Sequence, residues 1–254
     1  MRKYKISLMY HCVYRNDIRE SGFLNESAFM YKIKEELFEE HVKSIENWLR
    51  SSGLPLDSVE FTFDDGGISF YTLIAPILEK YGLRGIFFIS TKYLNTPNFL
   101  TDNQVKELDM RGHIIASHSH THPHDFASLP VCEKIEEWKI SMEILEDIVG
   151  HKIFLASVPN GDNSPEVNKA ACLCGIQKLY TSVPTMRIKK QRNDMELIGR
   201  YVVYGDTTTE NLLSFIQNKN VRKMKLLRWQ ILSIAKLLLG NRYNMIKTKL
   251  LGKK

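Results

Sequence analysis

The stretch Phe61-Thr62-Phe63-Asp64-Asp65-Gly66 constrains this chain more than any other. The run from Ser58 to Phe63 is rich in strand formers and reads as a short buried strand. It ends on two adjacent carboxylates followed by Gly66-Gly67, a pair that cannot continue a strand and permits a tight backbone turn. Like charges at the end of a buried strand are costly unless something positive sits beside them. A bound metal ion meets that need, with one carboxylate as ligand and its neighbour free as a base.

Four of the eight histidines fall in His118-Ser119-His120-Thr121-His122-Pro123-His124, just after the apolar run Ile114-Ile115-Ala116. Imidazole is the commonest protein ligand for zinc, and two histidines with one carboxylate leave a coordination position open for water. His118/His122 and His120/His124 share the same four-residue separation, so the residues alone leave both pairs open. An isolated Asp-Asp-Gly is usually a solvated turn, and the histidine cluster reverses that reading. Both clusters follow strand-like runs, where α/β folds place their chemistry.

The rest of the chain alternates in the same way. Strands are expected over Lys5–Val13 with His11 near the end, Arg84–Ser90, His113–His118, Ile153–Ala156, Leu179–Thr181 and Leu197–Tyr204. Helical patterns fill Lys34–Leu49, Ser69–Tyr81, Thr101–Arg111, Pro130–Val149 and the segment opened by Ser164-Pro165. Strands separated by helices mean βα units and a mainly parallel sheet. With 254 residues the chain is long enough for one barrel, since such folds commonly run to about 200–250 residues in one domain. No run reaches membrane-spanning length, and Ile6-Ser7-Leu8-Met9 is too short for a signal-peptide core, so a cytoplasmic protein is expected. Cys12, Cys132, Cys172 and Cys174 lack metal-finger spacing and are expected to be small buried thiols in a reducing compartment.

Thr62-Phe63-Asp64-Asp65-Gly66 and His118-Ser119-His120-Thr121-His122 together resemble the first two motifs of the polysaccharide deacetylase family, the NodB-homology domains of carbohydrate esterase family 4. The resemblance runs from about Lys5 to Ile216 and implies a distorted (β/α) barrel carrying a metal-dependent de-N-acetylase. It implies Asp64 as general base and Asp65, His118 and His122 as ligands of a divalent metal, zinc in first place; of the two histidine pairs, the family pattern selects this one. His120 is left as a rim residue near substrate.

The family's third motif reads here Ser157-Val158-Pro159-Asn160-Gly161, with serine in place of its arginine and Asn160 in place of its aromatic residue. Pro159 and Asn160 are carried over as groove residues, the backbone N–H near Asn160 serving the oxyanion. Arg200, in an otherwise apolar strand, is the candidate to replace the missing arginine; the alternative is an arginine facing solvent. No histidine follows His151, so the family's C-terminal acid is absent. His11 is the candidate substitute, which resembles the branch of poly-N-acetylglucosamine deacetylases with the acid histidine near the N-terminus.

Residues 1–216 are thus expected to form the deacetylase domain and 217–254 a basic amphipathic helical tail. From Asn211 to Lys254 there are eleven Lys/Arg and no Asp or Glu, leaving 24 basic against 29 acidic residues elsewhere. Val221 to Leu238 interleaves basic residues with Met224, Leu226, Leu227, Trp229, Ile231 and Leu232, a pattern suited to an anionic membrane surface or to packing on the barrel. Nucleic acid, the other reader of positive charge, is not expected as a partner. The expected substrate is an N-acetylated glycan or glycolipid; the alternative is a non-catalytic carbohydrate- or lipid-head-group-binding protein on the same fold.

Overall fold

A computed structural model describes residues 5–239. Residues 1–4, and the part of the expected tail from 240 onwards, lie outside the described residues. In chain order the elements are β1 (Ile6–Tyr10), β2 (Val13–Tyr14), α1 (Glu26–Phe29), β3 (Ile33–Lys34), α2 (Glu35–Ser51), β4 (Val59–Phe63), α3 (Ala75–Lys80), β5 (Gly85–Ile89), α4 (Asp102–Met110), β6 (Ile114–Ser117), α5 (Val131–Val149), β7 (Leu155–Ser157), α6 (Pro165–Leu173), β8 (Lys178–Thr181), β9 (Lys189–Lys190), β10 (Glu196–Gly199), β11 (Tyr201–Val202), α7 (Thr209–Gln217) and α8 (Lys219–Leu239).

Nine strands form one sheet in the order β11-β1-β4-β5-β6-β7-β8-β10-β9, parallel except for the β9–β10 pair. Helices cover its outer face; β1 and β5 are buried along their whole length, and β5 reads as a continuous apolar run. The expected strand from Leu197 to Tyr204 is two short ones. Leu197 to Gly199 pair with β8, and Tyr201 and Val202 then pair with β1 at the far end of the sheet. The segment from Glu196 to Val202 thus bridges the two ends of the sheet and curls it into a distorted barrel, with Arg200 at the changeover. Gly199 carries no side chain because a Cβ there would meet the Val183 carbonyl at 2.3 Å.

Successive residues of a strand face opposite sides, and that alternation sorts the core. Phe61, Phe63, Phe87 and Ile89 point outward into the main apolar cluster beneath the helices. Ile86, Phe88, Ala116, Tyr180 and Ile198 form a separate cluster within the barrel. Continuing two residues at a time, Thr62 and Asp64 lie on the same inner face, as do His118 after Ala116 and Arg200 after Ile198.

Helix ends follow local chemistry. A Thr101/Gln104 capping box opens α4, Ser164 caps α6 ahead of Pro165, and Gly150 in the left-handed region closes α5. The expected helix from Ser69 begins instead as a π-helical segment, Phe70–Ile74, ahead of Pro76, which cannot donate a helical hydrogen bond. All four cysteines are free thiols, but only Cys12 is buried; Cys132 is exposed, against expectation.

Candidate active site

Beyond Phe63 the chain must turn sharply. Asp65 and Gly66 both take positive φ, 89° and 93°, a conformation cheap for glycine and costly for aspartate. The turn separates the two carboxylates: Asp64 stays on the inner face of the barrel while Asp65 swings toward the histidine loop. Both are almost fully buried. The Gly67 Cα runs against Cys12 and Ser21, and a Cβ there would stand 2.3 Å from the Cys12 sulfur.

Asp65 meets two histidines. His118 Nε2 lies 3.6 Å and His122 Nε2 3.5 Å from Asp65 Oδ1. Three donors sharing one tetrahedral ion at about 2.0–2.2 Å stand roughly 3.4 Å apart, so this spacing fits a single metal. The His118 tautomer fits as well, since its Nδ1 sits 2.6 Å from Ser157 Oγ and 3.2 Å from the Ser157 carbonyl. A proton held on Nδ1 leaves the Nε2 lone pair facing Asp65. Burial pushes the Asp65 carboxyl up to about 6, with His11 pulling against the shift and Asp64 adding to it. Burial likewise pushes His118 down to about 3 and lowers His122, so both imidazoles are neutral and ready to ligate. A buried carboxylate beside two neutral imidazoles is a donor set for a cation.

His120 and His124 stand apart from this set. His120 Nδ1 pairs with Thr91 Oγ1 at 2.9 Å, and His124 is exposed beside Asp125. The Glu137 carboxylate of α5 holds the loop between the ligands, accepting from the His120 and Thr121 backbone N–H groups and from the Thr121 hydroxyl at 2.6 to 3.0 Å. The sequence reading missed Glu137. Its place in an amphipathic helix carries no signal that its carboxylate reaches back to the histidine loop.

Arg200 is fully buried and donates Nη1 to Asp64 Oδ1 at 2.6 Å and Nη2 to Asp64 Oδ2 at 2.8 Å. It therefore lies against Asp64, where the replacement for the missing arginine was expected, and is closed off from solvent. Nη1 also bonds Thr62 Oγ1, and the guanidinium lies over the Phe88 ring. Burial would raise the Asp64 carboxyl, but the Arg200 guanidinium beside it overcomes that, holding Asp64 well below the usual carboxylate range. Ser157, at the position of the family's arginine, donates to Asp64 Oδ1 at 3.3 Å and also touches His118, tying the two together.

The third-motif loop packs against the histidine loop. Asn160, with φ 54°, is exposed and donates its amide to the carbonyls of Pro123 and His124, while Pro159 is buried beneath it. The Asn160 side chain thus braces the histidine loop. His11 leaves β1 where the expected strand stops short, at Tyr10. Half-buried there, it stacks on Tyr31 at 4.6 Å between centroids and lies within electrostatic reach of both Asp64 and Asp65.

Comparison with known proteins agrees with this geometry. The sequence pattern of the family described as polysaccharide deacetylase matches residues 52–179, and the chain belongs to that family. YxkH of Bacillus subtilis strain 168, a candidate polysaccharide deacetylase, is 30% identical over 126 residues, 50% of this chain and 45% of that protein. The chain thus matches less than half the length of this curated relative. The Streptococcus pyogenes deacetylase PplD, solved in complex with acetate, superposes with a TM-score of 0.67 at 21% identity, over 84% of this chain and 98% of PplD. A de-N-acetylase from Aggregatibacter actinomycetemcomitans gives 0.66 at 20% identity, over 83% and 99%. At such identities the two structures establish the shared fold.

Proposed function

We propose that the protein is a metal-dependent hydrolase that removes N-acetyl groups from an N-acetylated sugar or glycan. The observation that carries the reading is the convergence of Asp65, His118 and His122 beside an Asp64 kept ionised by Arg200. A divalent ion on those three ligands, zinc first given two imidazoles and one carboxylate, would polarise the acetyl carbonyl and bring the pKa of a bound water to about 7.

The protein's own groups supply the rest. Asp64, whose carboxyl Arg200 holds below the usual range, sits beside the ligand set and would accept the proton of the attacking water. Arg200 fixes its orientation with two parallel hydrogen bonds, and Ser157 adds a third from the His118 side. His11 would protonate the leaving amine, the product nitrogen that must not depart as an anion. The backbone at Asn160 lies in the adjoining loop, where a peptide N–H can face the developing oxyanion. PplD was solved with acetate, the acid that deacetylation releases, which supports the same chemistry here.

The test is release of free amine and acetate from N-acetylglucosamine oligomers by the zinc-loaded protein. Asp64→Asn and His11→Ala should each keep the metal and lower turnover by about 10²–10⁴-fold. Metal loss in Asp64→Asn would exchange the roles of Asp64 and Asp65. No turnover by the wild-type protein loaded with zinc, cobalt or manganese would overturn the reading.

A further inference from the structure

We infer that α8 docks the protein on an anionic membrane surface and so presents the mouth of the barrel to glycans still attached to membrane lipid. The substrate half of this inference rests on the deacetylase reading above; the docking does not.

The first observation is an apolar stripe that the fold leaves uncovered. Met224, Leu227, Ile231 and Ile234 recur at three- and four-residue intervals and are 69%, 57%, 58% and 57% exposed. On the opposite side of the helix Leu226, Trp229 and Ser233 are half-buried. The helix is therefore anchored by one face, with Arg222 capping the carbonyls of Phe215 and Ile216 at the end of α7. Four large apolar side chains in line on a free face mark an interaction surface.

Charge decides among the occupants. Lys219, Lys223, Lys225 and Arg228 are exposed on α8, and no acidic residue occurs anywhere from Asn211 to Lys254. Nucleic acid would use the cations and leave the stripe in water. A second copy of α8 would bring like charges together. An anionic lipid surface takes both features at once, the stripe entering the acyl boundary and the cations resting among head groups. Among the described residues no helix is long and apolar enough to cross a membrane.

Position joins docking to chemistry. Arg228 is near enough to Tyr204 for its charge to act on the phenol. Tyr204 stacks on Tyr31 at 5.3 Å, and Tyr31 stacks on His11. The Gly205 N–H bonds the Met30 carbonyl at 2.9 Å, tying the chain that leads to α7 and α8 onto the rim beside His11. That rim carries two more exposed apolar side chains, Leu24 and Met30. A helix lying on a bilayer beside this rim would bring the mouth to head-group level.

The experiment is co-sedimentation of the full chain with phosphatidylcholine vesicles, with and without phosphatidylglycerol, paired with hydrolysis of a soluble N-acetylated oligosaccharide. The protein should partition onto the phosphatidylglycerol vesicles at least about tenfold better, and the advantage should fade in about 1 M salt as the Debye length shrinks to about 3 Å. Leu227→Glu with Ile231→Glu should abolish partitioning and leave the soluble reaction unchanged. Failure of the wild-type protein to bind phosphatidylglycerol vesicles would overturn the docking. So would light scattering that finds a dimer which the double variant makes monomeric. Vesicle binding without soluble turnover would sustain the docking and count against the deacetylase reading instead.

Discussion

The proposed metal side and the proposed base side of this site meet where His118 Nε2 lies 3.9 Å from Asp64 Oδ2, yet they are built in opposite ways. Asp65, His118 and His122 come from two loop segments, and Asp65 and His122 hold positive φ that their side chains disfavour. Their geometry is kept by contacts from outside: Glu137 and Asn160 on the histidine loop, Ser157 on the His118 ring. Asp64 and Arg200 instead stand at the ends of inward-facing rows on strands, joined by two hydrogen bonds across the barrel. The ligand set is strained and braced, whereas the base is locked by barrel closure itself. Damage to the first should show in metal affinity, and damage to the second in stability and in the pH dependence of the rate.

The largest expected effect breaks the metal side alone. His118→Ala removes a buried donor and should abolish both bound metal and turnover while the fold persists, checked by elemental analysis and circular dichroism. Full metal content in that variant would mean that another donor set holds the ion.

The base side should respond differently. Arg200→Ala leaves Asp64 buried without its partner, a change that costs about 3–5 kcal/mol in comparable buried pairs. Asp64 in the wild-type fold lies below its unfolded value of about 4, so its contribution to stability is present above that pH and is lost as pH falls through the folded value. Without the guanidinium, burial dominates and the carboxyl titrates above its unfolded value, reversing that sign. Urea unfolding should therefore show a less stable variant that no longer gains from Asp64 ionisation, with the acid limb of kcat/KM moved to higher pH. An unmoved acid limb would show that Arg200 does not set the charge of Asp64.

The same division governs how much could be read from the sequence. Asp64-Asp65-Gly66 and the histidine run announce themselves because ligands carried on one loop must be close in the chain. Arg200 was visible as a charge in an apolar strand, but whether it faced inward depended on the sheet closing through β10 and β11, a property of nine strands together. The break after Tyr10 was hidden by an unbroken β-prone run, yet it carries His11 out of β1 to the mouth. Strand and helix rhythm located the βα units well because each buries one continuous face. Side chains such as Asn160 and Glu137, which act across loops, left no periodic trace.

The smallest expected effect sharpens the comparison most, because it touches no ligand. The Glu137 carboxylate collects three hydrogen bonds from the loop that joins His118 to His122. Removing an outer partner of this kind typically lowers metal affinity about 10–100-fold. Glu137→Ala should therefore weaken metal binding in a competition assay, with kcat at saturating metal close to wild type because Asp64 and Arg200 are undisturbed. Glu137→Gln should recover much of the affinity, since its carbonyl can accept from the two backbone N–H groups while its amide turns to the Thr121 hydroxyl. A general loss of stability would lower kcat and affinity together and would not be rescued selectively. If Glu137→Ala binds metal as tightly as wild type, the bond from the His122 N–H to Ser119 Oγ at 3.1 Å holds the loop by itself. The metal side would then be as self-sufficient as the base side, and the contrast drawn between them would fail.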